Sequence, residues 1–316
     1  MNFETQVVLQ RIVVPSLLGL AGGFVLSRCE RRALATADGS GDSPLRLAAT
    51  ASILGALFVG AGLIASDLWQ RGLITNPATW RRWDAREPWM WMVWMVPSLM
   101  FVLGLLKGLG RTPGRFATWC LPIVVIGAAG ILYVALPQGS GYEDKLKDAV
   151  RWLALGTVAA TVNAVCLNTI AAQPGGRWAP CVLLAQLGCI AGIVLQSYAS
   201  LGEFVLSAIG ILIGLSIVSL AIPSPSTHDY GWQLAPAVLA MSVLAVACLA
   251  VSTFYVSTPP ATWLVLSILF LPALVGCVNC ILQKQPWGWR VAAAIVLCGA
   301  LLAVVIVSAI NNKPEW

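Results

Sequence analysis

Long apolar runs separated by short polar breaks recur along the whole chain. The clearest run covers residues 180–222, where 43 residues contain a single charged side chain, that of Glu203. As one helix this run would be roughly 65 Å long, about twice the hydrocarbon thickness of a bilayer. We therefore predict a helical hairpin that crosses a membrane twice and turns near residues 200–203.

The same pattern predicts about ten membrane-spanning helices. Besides the hairpin, the predicted spans are 12–26, 47–65, 89–109, 116–136, 149–172, 234–256, 261–282 and 289–310. The first span is short and helix ends are poorly marked in sequence, so nine or eleven spans also fit the pattern. A short interfacial helix is predicted near residues 77–87, between the helix-starting pair Asn76-Pro77 and Pro88.

Composition supports one fold class, an all-α integral membrane protein with a single transmembrane domain over residues 1–316. The chain is 59% hydrophobic and 10% charged, whereas soluble domains are about 25% charged. Lipid offers backbone groups no hydrogen-bond partner, so continuous apolar runs predict helices. Residues 1–173 have large polar loops and residues 174–316 form a compact apolar half. We expect a lipid bilayer as the surroundings and, from the compact loops, the bacterial inner membrane.

The basic residues are interpreted as orientation signals. The net charge of +6 does not indicate nucleic-acid binding, because the basic residues are scattered over the loops rather than gathered in a patch. Arg28, Arg31 and Arg32 follow the first span and favour an inside loop there, which places both termini and Arg11 outside. Over all loops the two sides carry ten and nine basic residues, so the total gives no further bias.

Polar residues inside the predicted spans are few, and they define a candidate substrate-binding surface. Thr157, Thr161 and Asn168 share one face of the fifth span at helical spacing, and Gln186 in the next span is placed to meet them. Asn163 is a further polar residue of the fifth span. The alternative role for these side chains is interhelical hydrogen bonding, worth about 0.6 kcal/mol per bond.

Glu203 completes the set of candidate substrate-binding residues. A charged residue within a membrane segment is a functional-site hypothesis by default, because burying a charge in lipid is costly. Glu203 also falls where the hairpin is predicted to turn, beside Gly202. The alternative is therefore an interfacial turn residue that reaches water or lipid headgroups.

Glycine and proline add two structural expectations. Glycine pairs spaced four residues apart, which predict close packing of helices, occur at Gly19/Gly23, Gly104/Gly108, Gly188/Gly192 and Gly210/Gly214. Pro97 and Pro272 lie well inside predicted spans and are expected to kink them.

No catalytic residue, metal site or cofactor site is predicted. His228, the only histidine, lies in a Pro- and Ser-rich loop, and the CxxC pair Cys277/Cys280 lies in an apolar span without a second ligand pair. Motifs for nucleophilic, phosphate-binding or zinc-dependent chemistry do not occur. An enzyme is therefore the third hypothesis, since only residues from distant spans would supply its chemistry.

Two functions are predicted ahead of catalysis. The first is a carrier or facilitator of a neutral or lipophilic solute or lipid, without ion coupling. No span has an acidic or basic residue near its centre, where ion-coupled carriers usually place one. The second is a non-catalytic membrane subunit or assembly factor, whose spans pack against other membrane subunits.

Overall fold

The computed structural model describes residues 8–36, 53–55, 57–65, 68, 88–109, 113–136, 146–171, 176–195, 199–221, 230–255 and 261–311. These residues are helical apart from a few turn positions, and they contain no strand. The interfacial helix predicted near 77–87 and the loop that holds His228 lie outside the described residues.

The helices are numbered in chain order. They are α1 (Val14–Thr36), which continues a π-helical turn at Leu9–Val13, α2 (57–65), α3 (Met92–Leu109), which follows a 3-10 turn at Pro88–Trp91, α4 (Pro113–Ala135), α5 (Leu146–Ala171), α6 (Ala179–Val194), α7 (Ala199–Ala221), α8 (Tyr230–Tyr255), α9 (Thr262–Leu269), α10 (Leu271–Ile281) and α11 (Trp287–Asn311).

Several of these helices are suited to a membrane. Within the described residues, five helices (α3, α5, α7, α8 and α11) are long and apolar enough to cross one, and the bent pair of α9 and α10 gives six if it counts as a single span. Shorter apolar helices cover residues 9–25, 53–65, 120–135 and 179–194. The predicted all-α membrane fold is thus confirmed, whereas the count of about ten spans stays a prediction.

Helix α8 is the centre of the described fold and α11 lies at its edge. In an 18-residue apolar stretch within residues 236–254 of α8, 94% of the residues are buried, against 17% in such a stretch within residues 287–308 of α11. Alanine, valine and leucine occur all around α8, and it packs against α3, α4, α5 and α6. A helix that is apolar on every side is suited to such a surrounded position.

Helices α1 and α7 run parallel with their backbones in contact. A Cβ atom on Gly19 would collide with the carbonyl oxygen of Ile211, and one on Gly214 would collide with that of Ser16. A Cβ atom on Gly210 would lie 2.8 Å from the carbonyl oxygen of Ile12. Gly19 and Gly23 on α1, like Gly210 and Gly214 on α7, lie about one helical turn apart. They leave a flat face on each helix that lets the two backbones approach. Close packing is confirmed for the pairs Gly19/Gly23 and Gly210/Gly214, whereas a Cβ atom on Gly188 would meet only the side chain of Leu302, at 3.8 Å.

The hairpin over residues 180–222 turns earlier than its sequence predicts. Helix α6 ends at Val194 and α7 begins at Ala199, so Glu203 lies inside α7 rather than in a turn near 200–203. A Cβ atom on Gly202 would lie 2.6 Å from a methyl carbon of Leu195. Gly202 therefore lets α6 and α7 approach each other beside the turn and does not form the turn, which is why the prediction was wrong.

Candidate functional site at an interrupted helix

The predicted span at 261–282 is broken in the middle. Helix α9 ends at Leu269, α10 begins at Leu271, and their axes differ in direction by 64°. Pro272 has no N–H, so it cannot donate the helical hydrogen bond that the carbonyl of Ile268 would otherwise accept. The kink expected at Pro272 is confirmed, whereas α3 remains one helix through Pro97.

Two buried amide side chains contact the carbonyls at this break. Nε2 of Gln186, on α6, donates to the carbonyl oxygen of Ile268 at 2.9 Å and to that of Leu269 at 3.2 Å. Nδ2 of Asn163, on α5, donates to the Leu269 carbonyl at 2.8 Å. Both side chains are 0% exposed. The last carbonyls of a helix lack intrahelical partners, and here α5 and α6 supply the donors.

The oxygens of the same two amides are acceptors without a partner among the described residues. Asn163 Oδ1 and Gln186 Oε1 are buried, and neither accepts a hydrogen bond from the described chain. Exchanging the oxygen and nitrogen of either amide would turn an oxygen toward a carbonyl oxygen, so the hydrogen bonds fix which way each amide points. An unpartnered buried acceptor costs about 1–3 kcal/mol. Two buried oxygens beside the break therefore have the capacity to accept hydrogen bonds.

The threonines of the predicted binding surface have local partners. Thr157 Oγ1 donates to the carbonyl of Leu153 at 2.6 Å, and Thr161 Oγ1 donates to the carbonyl of Thr157 at 2.7 Å. Both threonines and Asn168 are half-buried on one face of α5.

Gln186 meets a different face of α5 from the one that its sequence position suggests. It shares the Leu269 carbonyl with Asn163, which lies about 120° around the helix axis from Thr157. The structure therefore brings Gln186 together with Asn163. The signal in the sequence is Pro272, because a proline inside a span frees a carbonyl that needs a donor from a neighbouring helix.

Glu203 has an ion-pair partner at the opposite end of the sequence. Arg11 Nη2 lies 2.7 Å from Glu203 Oε2, and the two side chains are 3% and 26% exposed. Arg11 lies in the π-helical turn that leads into α1. The apolar pattern predicts Arg11 only as a loop charge and does not indicate this partner. The signal in the sequence for this ion pair is a single basic residue at the start of one apolar run and a single acidic residue in another.

The part of the chain that the structure describes contains no cluster of metal-ligating side chains. No group of three or more histidine, cysteine or carboxylate side chains is placed there to hold a metal ion. Cys277 and Cys280 lie on the exposed side of α10 as free thiols.

Comparison with known proteins gives no match for this chain, whether with family models, curated proteins or solved structures. Among the described residues, the interrupted helix brings together the most buried polar groups from different helices.

Proposed function

We propose that this protein is a carrier or facilitator of a neutral or lipophilic solute, without ion coupling. The observation that supports the proposal is the break between α9 and α10, which falls about halfway along the span and is contacted by buried amides from two other helices. Interrupted helices near the bilayer midplane form the substrate sites of many transporters. The side chains that bond the break carbonyls are uncharged, which suits a neutral solute.

The proposal includes about ten membrane-spanning helices in a bacterial inner membrane. The five long helices, the α9–α10 pair and the four shorter apolar helices together make ten. The parallel packing of α1 and α7 supports this count, because parallel spans require an even number of crossings between their starts. Helices α1 to α6, counted as one crossing each, supply six.

Solute flux into proteoliposomes tests the proposed function. Purified protein is reconstituted, and the uptake of a panel of neutral solutes, from glycerol to hexanamide, is followed by stopped-flow light scattering. We expect at least one solute to enter faster than into protein-free vesicles, with a rate that does not change when sodium or proton gradients are abolished. No acceleration for any solute contradicts the carrier, and loss of flux without a gradient contradicts its independence from ions.

A non-catalytic membrane subunit is the second candidate, and helix α11 is the observation that favours it. Its large side chains are widely exposed, with Trp289 at 68% and Val296 at 70%, so a long apolar face is available to the helix of a partner. Native mass spectrometry of protein extracted in mild detergent separates the two proposals. Other polypeptides at a fixed stoichiometry favour the subunit, whereas a monomer or a homo-oligomer favours the carrier.

A further inference from the structure

We propose that Asn163 Oδ1 and Gln186 Oε1 bind an uncharged hydrogen-bond donor, the O–H or N–H group of a neutral solute, beside the α9–α10 break. This inference rests on the proposed function and deepens it, because it names the chemical class of the solute. It starts from two oxygens that are fully buried and that accept no hydrogen bond from the described residues.

The orientation of each amide makes its oxygen the group that faces a ligand. The nitrogens of Asn163 and Gln186 are both held by the Leu269 carbonyl, so the two amides are close neighbours. Turning either amide over would lose these hydrogen bonds and place two oxygens against each other. A ligand at this position therefore meets acceptors and must supply a donor.

The same geometry favours a neutral donor over a metal cation. The carbonyls of Ile268 and Leu269 already accept hydrogen bonds from amide N–H groups, which would repel a cation placed beside them. Hard cations such as Ca²⁺ take about six to eight oxygen ligands. Residues 152–171, 179–194 and 262–281, which form the break and supply its amide donors, contain no acidic or basic side chain to offset the loss of a cation's hydration.

Water is the smallest donor that fits this description, and a solute that binds here must replace its hydrogen bonds. Buried polar groups that the chain leaves unpaired commonly bind an ordered water, which typically makes about three hydrogen bonds. Displacing such a water with a group that cannot donate loses affinity. A solute with an N–H or O–H group should therefore bind more tightly than the same solute with its donor blocked.

A matched pair of amides tests the donor directly. Hexanamide and N,N-dimethylhexanamide share a carbonyl and an alkyl chain, but only hexanamide has N–H groups. Binding of each is measured by calorimetry on the full-length protein in nanodiscs. We expect hexanamide to bind at least about tenfold more tightly, which corresponds to one hydrogen bond of ordinary net strength. Equal binding of the two amides, or no binding of either, overturns the proposal.

Substitutions of Asn163 and Gln186 test whether the donor group of the ligand binds at their two oxygens. Asn163→Leu and Gln186→Leu each remove one acceptor, and we expect each to weaken hexanamide binding about tenfold. Thr169→Leu, at an exposed position on another face of α5, is the matched control and should leave binding unchanged. Thermal unfolding of each leucine variant guards against misfolding, because a cooperative transition shows that the loss of binding is not a loss of the fold. Leucine variants that bind hexanamide like the native protein overturn the proposal.

Two further outcomes separate this inference from its alternatives. A rise in melting temperature with NaCl but not with choline chloride, lost in Gln186→Leu, identifies a cation site and overturns the donor site. A second outcome is a flux rate that is equal for hexanamide and N,N-dimethylhexanamide and unchanged in the leucine variants. This result also overturns the donor site but retains the carrier. Binding that distinguishes the amides without any flux retains the donor site and removes the carrier.

Discussion

The guanidinium of Arg11 lies 2.7 Å from the carboxylate of Glu203, across 192 positions of sequence. This ion pair joins the π-helical turn before α1 to the first part of α7. The backbones of α1 and α7 touch further along the same interface, where Gly19 and Gly214 leave room for opposing carbonyls. One charged contact and a run of close backbone packing thus hold α1 and α7 together.

Removing the charge of Glu203 should destabilise the protein. Because Arg11 is 3% exposed, Glu203→Gln removes a carboxylate that lies 2.7 Å from a buried guanidinium, and we expect the free energy of unfolding to fall by about 2 kcal/mol, less than for a fully buried pair. The Asp148–Arg151 pair, at 57% and 80% exposed, supplies the control, and Asp148→Asn should change stability by less than about 0.5 kcal/mol.

Equilibrium unfolding in mixed micelles measures both changes. The double variant Arg11→Met/Glu203→Gln should recover part of the lost stability, because it leaves no unpaired charge. Equal effects of Glu203→Gln and Asp148→Asn would contradict an ion pair that stabilises the α1–α7 interface.

Adding one methyl group to the α1–α7 interface should be costly. In Gly214→Ala the new Cβ would meet the backbone of Ser16 and lie 2.5 Å from the nitrogen of Leu20, so the helices must separate. We expect a loss of about 2 kcal/mol in unfolding free energy, typical of overpacking. Gly299→Ala on α11 is the matched control, because a Cβ there meets nothing within 4 Å. A loss of stability in Gly299→Ala as large as in Gly214→Ala would contradict the close approach.

The apolar pattern could predict the helices of this protein but not their pairing. Runs such as 149–172 and 234–256 correspond to α5 and α8 within a few residues, since helix formation in lipid depends on local apolar length. Contacts between residues as distant as Arg11 and Glu203 depend on the packing of whole helices, about which a run of apolar residues carries no information. The turn near 200–203 was misplaced for the same reason, because Gly202 serves a contact with Leu195.

Residues 69–94, which contain six tryptophans, show the same limit. These tryptophans predict an aromatic belt at the membrane surface. Trp91 is 44% exposed, as a belt residue would be, but Trp89 is 2% exposed and its ring lies 6.1 Å from that of Phe204. Neighbours along the chain point to different surroundings, and composition does not tell them apart. Trp69, Trp80 and Trp83 lie outside the described residues.

The hydrogen bonds of Gln186 should depend on the proline at the break. Gln186→Leu leaves the Ile268 carbonyl without its 2.9 Å donor, and we expect a loss of about 2 kcal/mol. Pro272→Ala restores a backbone N–H at the position that normally bonds residue 268. Gln186→Leu should therefore cost less in the Pro272→Ala background.

A double-mutant cycle on unfolding free energies measures this dependence. We expect a coupling energy of about 1 kcal/mol between positions 186 and 272, within the range found for residues that share one hydrogen-bond network. Asn168→Leu combined with Pro272→Ala is the control and should be additive. Additivity for Gln186→Leu as well would mean that Gln186 does not compensate for the missing N–H of Pro272.

Whether α9 and α10 together cross the membrane can be tested by finding the side of the membrane on which residues 8, 195 and 285 lie. The Arg11–Glu203 pair places the start of α1 and the α6–α7 turn at one end of the bundle. If the broken pair is a complete crossing, the loop after α10 lies at the opposite end. In a variant without the nine native cysteines, Val8→Cys and Leu195→Cys should therefore react with an impermeant maleimide from one side of sealed membranes, and Gln285→Cys from the other. Reaction of Gln285→Cys from the same side as Leu195→Cys would make α9–α10 a re-entrant loop, reduce the number of spans by one, and leave the break open to one face only.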